Sequence, residues 1–209
     1  PSITFPLVLF LHGVGERGDD IDLVETHGLP KVMKNGKTFP FITVAPQCPN
    51  QEWWSRAEMV KCLVYLVKKI TKMYNVDNRR VYVTGLSMGG YGTISLVNER
   101  ADLFAAALPV CGGADFSDYS NLKSLPIWFF HGSEDDEHPA SYSEKIYNEL
   151  KEVLGTDSVM VVVEAKHLCI SARGIKDFSS STVTELYGGD FNIYNKRDEF
   201  YKLLNSVVI

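Results

Sequence analysis

Ser87 stands in Gly85-Leu86-Ser87-Met88-Gly89, a serine with a glycine two places away on either side. The apolar run RVYVTG (80–85) leads into it, and Gly90 and Gly92 follow. A strand that passes into a helix through one residue forces that residue into a strained turn. The turn lifts its hydroxyl clear of the sheet and tolerates only small neighbours. The chemistry this suggests is acyl transfer by a serine nucleophile. Such a serine needs a base, and the base needs an acid to orient it.

In a strand–turn–helix setting of this kind the chain order is serine, acid, histidine. Of the five histidines, His12 and His27 precede the serine, and His131 ends an apolar run ahead of the acidic residues. His138 shares their short loop and is too close in sequence to them to face Ser87. His167 remains, just past the run SVMVVVEA (158–165). The acid is expected in SEDDEHPA, which offers Glu134, Asp135, Asp136 and Glu137. Spacing from the preceding strand favours Asp135, then Asp136, with Asp115 as an outside choice.

Attack on a carbonyl places negative charge on its oxygen, and two pre-aimed backbone N–H groups can hold it. The residue after the nucleophile, Met88, supplies one, and the loop after the first strand, LHGVGERG, supplies the other from Val14. That loop is no phosphate cradle, because no G-K-[ST] follows it. Gln47, Trp53 and Trp54 come after the second strand and are candidate substrate contacts. A core place for one tryptophan and a loop-anchoring place for the other is the competing reading.

These residues need a scaffold. LVLFLH (7–12), FITVA (41–45), RVYVTG (80–85), AALPVC (106–111), IWFFHG (127–132) and SVMVVVEA (158–165) read as strands. The runs are continuous rather than alternating, as in parallel strands buried on both faces. Between them, residues 58–74 put Met59, Leu63, Leu66, Ile70 and Met73 on one helical face. Residues 141–155 form a second helical pattern with Gly155 as its cap, and residues 196–208 a closing helix. Strand and helix in alternation predict an α/β fold of about six mainly parallel strands. With no repeat and no linker, residues 1–209 are expected to form one domain.

The chain has 209 residues, 45% of them hydrophobic and 22% charged, as in a globular protein. A net charge of -5 without a basic cluster argues against a nucleic-acid partner. No apolar run approaches the roughly 20 residues of a membrane span. The first residues lack a methionine and a basic segment and do not form a signal peptide. The expectation is a soluble chain, either cytoplasmic or secreted with its signal removed. Cys48, Cys62, Cys111 and Cys169 form no C-x-x-C and join no histidine cluster, so no metal and no cofactor is expected. Cys62 and Cys111 sit in apolar patterns that predict core positions.

Taken in order, HGVGERG, APQCP, YNVDNRRVYVTGLSMGGYGT, DLFAAALPVCGG and PIWFFHGSEDD resemble the α/β-hydrolase superfamily. More closely they resemble its phospholipase/carboxylesterase or "predicted peptidase" esterases, which are related to polyester-depolymerase-like and feruloyl esterases. The resemblance runs from residue 7 to residue 167. It implies Ser87 as nucleophile, Asp135 as acid and His167 as base, with Val14 and Met88 at the oxyanion hole. It implies an ester substrate and a sheet whose usual leading antiparallel hairpin is absent or trimmed. The family commonly has glycine before the catalytic histidine and an aromatic soon after, whereas here Lys166 precedes it and LCISARG follows.

Overall fold

The computed structural model describes residues 3–153, 155 and 159–163. Six parallel strands make one sheet: β1 (Phe5–Leu11), β2 (Ile42–Val44), β3 (Val76–Leu86), β4 (Ala106–Val110), β5 (Trp128–Gly132) and β6 (Val159–Val163). The helices are α1 (Gly28–Lys34), α2 (Ala57–Met73), α3 (Met88–Arg100) and α4 (Ser141–Asn148). The predicted helix over 141–155 is therefore α4 continued by a π-helical turn, Glu149–Val153. Gly155 has φ +63°, as expected of a helix cap. The expected helix over 196–208 lies outside the described residues, as do His167 and Cys169.

Strand order is β2-β1-β3-β4-β5-β6. From β1 the chain steps outward to β2 and then returns to the other side of β1 with β3. The order therefore reverses at β1 and β3, and past the C-terminal ends of such a pair is where open α/β sheets place their ligand crevice. Leu11 pairs with Gly85, so the loops that leave these two strands start level with each other. One begins at His12 and the other at Ser87.

Side chains alternate between two cores. Leu7, Leu9 and Leu11 of β1 join Val60, Leu63 and Val67 of α2, Ile94 and Val97 of α3, and Ile146 and Leu150 from α4 and its continuation. Val8 points the other way, into a smaller cluster with Phe41, Tyr82 and Ala106. Helix α3 lies in the centre of the larger core and buries residues on every side.

Strand β3 is longer than RVYVTG. It starts at Val76, and its register against β1 jumps between Phe5↔Val76 and Leu7↔Val81. The Asp77 carboxylate holds the extra residues by accepting from the Arg79 backbone N–H at 3.0 Å and from Arg80 Nε at 3.0 Å. Arg80 in turn donates to Thr4 O. Cys62 departs from its predicted core place. It is exposed on α2, one step outside the buried Val60–Leu63–Val67 stripe.

Candidate active site

Ser87 occupies the turn between β3 and α3 with φ 53° and ψ -114°. Such a conformation is strained for any residue with a side chain and persists only where its surroundings fix it. Here its N–H donates to Val110 O at 2.9 Å, and its carbonyl accepts from Tyr91 N at 3.1 Å. The turn also needs glycine beside it. A Cβ on Gly89 would run into the Leu11 carbonyl, and one on Gly90 would come within 2.6 Å of Val110 O. Helix α3 can sit this close to β1 and β4 only without those side chains. Among the described residues no side chain accepts the Ser87 hydroxyl.

Met88 opens α3, so its N–H is among the first-turn donors that have no partner within the helix. Its side chain is buried in the core. Val14 opens a short 3-10 turn, Val14–Glu16, in the loop that leaves β1. Several bonds fix that loop. The His12 ring donates from Nδ1 to Gly13 O at 2.6 Å and accepts the Cys48 N–H on Nε2 at 2.9 Å. With one nitrogen donating and the other accepting, the ring is neutral and its tautomer is set. Burial, the largest influence, pulls the His12 pKa below its ordinary value, against the opposing pull of the Gly13 carbonyl and Glu16. Glu16 is buried with Oε1 3.3 Å from His27 Nε2.

Gln47 and Trp54 brace this loop. Gln47 Nε2 donates to Glu16 O at 2.9 Å and to Asp20 O at 2.7 Å. Trp54 is 1% exposed, packs edge-on against His12 and donates from Nε1 to His12 O at 3.0 Å. Trp54 thus takes the core, loop-anchoring place that the sequence offers as the competing reading for one of the two tryptophans. Trp53 does reach the surface, at 41% exposure, with the Arg17 guanidinium 5.2 Å from its ring centroid. Arg17 also donates to Val14 O, so Trp53, Arg17 and Val14 share one rim.

Burial separates the four acids of the loop after β5. Asp135 is buried, while Glu134, Asp136 and Glu137 are exposed, as is Asp115 after β4. Asp135 Oδ1 accepts from the backbone N–H of Glu137 at 3.1 Å and of His138 at 2.8 Å. The loop leans on the helix that carries the serine: the His138 ring meets Tyr91 edge-on at 5.5 Å. Burial chiefly, then the charges of Tyr142, Asp115 and Asp135, push the Tyr91 phenol up to about 12. Burial likewise pushes the Cys48 thiol up to about 11, which leaves it unreactive. Cys48 and Cys62 are free thiols, and among the described residues no group of acids, histidines and cysteines is placed to hold a metal.

Two families match separate parts of the chain. The prolyl oligopeptidase family matches residues 57–129, which include Ser87 and Met88. The GTP cyclohydrolase I family matches residues 141–205, which include α4, β6 and His167. A bifunctional acetylxylan esterase/xylanase of Neocallimastix patriciarum is 28% identical over 138 residues, 63% of this chain and 19% of that one. GTP cyclohydrolase 1 of Flavobacterium johnsoniae is 50% identical over 56 residues, 27% of this chain and 25% of that one. The chain thus spans about a quarter or less of these curated relatives. The solved structure of a thermostable esterase superposes with a TM-score of 0.72 at 31% identity, covering 99% of this chain and 56% of that one. No helix among the described residues is long and apolar enough to cross a membrane. The all-parallel sheet, the strained serine at its switch point and the likeness to that esterase agree: over its described residues the chain has the α/β-hydrolase fold.

Proposed function

We propose that the chain is a serine carboxylic-ester hydrolase. The observation that carries this is the strained Ser87 at the sheet's switch point, opposite the braced Val14 loop. The Ser87 hydroxyl attacks the ester carbonyl while a histidine takes its proton. The N–H groups of Val14 and Met88 hold the oxyanion. The alcohol leaves with the proton, and water then attacks the acyl-serine to release the acid and restore the hydroxyl. Asp135 orients the base and stabilises its charged form. By chain order the base is His167, which follows β6 as Asp135 follows β5. The substrate class is a soluble ester, with an acetyl or feruloyl group on carbohydrate foremost, because a relative's name includes acetylxylan esterase. Trp53 is the surface ring beside the site that suits a sugar or an aromatic acid. A peptidase, lysophospholipase or thioesterase would use the same groups.

One observation favours a second reading for the base. Residues 141–205 match another family, and that likeness accounts for His167 without reference to Ser87. The hydrolase machinery would then lack its own base in this chain. Acetyl, feruloyl, short-acyl and long-acyl esters, with matching amides, assayed side by side decide both points. Ser87→Ala is expected to lower kcat on the order of 10⁴–10⁶-fold, and unchanged turnover would sink the proposal. His167→Ala is expected to cost at least about 10³-fold if His167 is the base. If it costs nothing, the second reading stands.

A further inference from the structure

We propose that His131 and Ser143 are positioning residues for Asp135, forming a buried clamp that ties the acid loop to α4 and to the chain beside Ser87. The inference rests on Asp135 being the acid of the proposed hydrolase. His131 sits at the C-terminal end of β5 with 0% exposure. Its Nε2 lies 2.7 Å from His138 O and 3.6 Å from Asp135 Oδ2. Its Nδ1 lies 2.8 Å from Ser143 Oγ, and Ser143 Oγ donates to Gly112 O at 2.8 Å. Gly112 is packed against Gly90, three residues after Ser87. One continuous path therefore runs from the acid, through His131 and Ser143, to the helix that holds the nucleophile.

His138 O can only accept, so His131 Nε2 carries a hydrogen. Ser143 Oγ bridges the ring Nδ1 and Gly112 O, so both ring nitrogens have partners within the fold. The Nε2 edge of the ring lies 3.6 Å from Asp135 Oδ2, while the other oxygen of that carboxylate is held by two backbone N–H groups.

Ser143 lies within the stretch that matches GTP cyclohydrolase I, and His131 lies just past the stretch that matches prolyl oligopeptidase. The clamp therefore joins two stretches of different likeness at the one point where the acid must be held still.

Hydrogen exchange and kinetics on the full chain test this together. Ser143→Ala is expected to speed exchange of the Glu137 and His138 amides about tenfold, the worth of one buried hydrogen bond, with the Leu9 and Val83 amides unchanged. It should lower kcat for an ester about tenfold with KM unaltered, since acid placement matters to the transition state and not to binding. His131→Gln keeps an N–H donor for His138 O but loses the ring's second nitrogen facing Ser143, and the same pair of effects is expected from it. Exchange at Glu137 and His138 that matches wild type in both variants overturns the clamp. If the wild-type chain turns over no ester, the hydrolase reading fails while the exchange result still decides whether His131 and Ser143 hold Asp135.

Discussion

At the scale of single residues, burial selects among groups that the sequence leaves equivalent. Four acids crowd one loop, and only Asp135 is turned inward, where backbone N–H groups grip its carboxylate. The sequence favours it by spacing alone and keeps Asp136 as a rival. Trp54 is harder to read, because its place depends on a distant glycine: a Cβ on Gly92 would strike its side chain. The His12 ring shows how such residues tune the site. It is neutral and buried, and the Cys48 N–H donates to it. Below about pH 6.5 an unfolded chain protonates this histidine while the folded chain resists, so acid favours unfolding through His12. His12→Asn should lower stability at pH 8 by about 1–3 kcal/mol through lost buried hydrogen bonds. The gap between wild type and variant should then narrow as pH falls below 6.5. Urea titrations of both proteins from pH 5 to 8 check this, and a gap constant with pH would refute it.

At the scale of elements, the turn around Ser87 was the most legible part. Glycine spacing dictates local backbone geometry, and local geometry is what a short motif can encode. The start of β3 was not legible, because NVDN has the composition of a turn. It joins the sheet only because Asp77 collects Arg79 and Arg80 and so holds a bulge in register. The two arginines hold the Asp77 carboxyl down at about 2, well below its ordinary value. The stabilisation is complete above about pH 4 and disappears as pH falls toward 2. The Gly89 contact makes a sharper demand. Gly89→Ala places a methyl group against the Leu11 carbonyl, which is backbone and cannot swing aside. Either α3 lifts from β1 or the turn at Ser87 relaxes. The variant should lose roughly 2–4 kcal/mol of stability, with ester turnover reduced even where it remains folded. Thermal unfolding followed by circular dichroism, together with an ester assay, measures both effects.

At the scale of the whole molecule, hydropathy could not show that the chain carries two likenesses. A helix followed by an apolar strand reads the same whichever family it resembles, and residues 141–163 meet the needs of an α/β sheet. Strand β6 pairs in parallel with β5 from Trp128↔Val159 to Gly132↔Val163. Ile146 and Leu150 reach the same core as Leu7, Val83 and Phe129, and Tyr147 meets Phe129 edge-on. A segment that folded by itself would not spend its buried residues in this way. Residues 141–163 should therefore unfold together with β1–β5 and not as a separate unit. Ile146→Ala tests the coupling, because its cavity would open in the shared core and should cost about 2–4 kcal/mol. Trp54 and Trp128 report from the part before α4. If folding is cooperative, tryptophan fluorescence and far-ultraviolet circular dichroism shift to lower urea together in the variant, each as a single transition. If the part from α4 onward is independent, the fluorescence midpoint stays where it is in wild type while a second transition appears in the circular dichroism. The first outcome makes α4 and β6 the closing elements of the hydrolase sheet. The second would make the sheet end at β5 and leave Asp135 without the Ser143 side of its clamp.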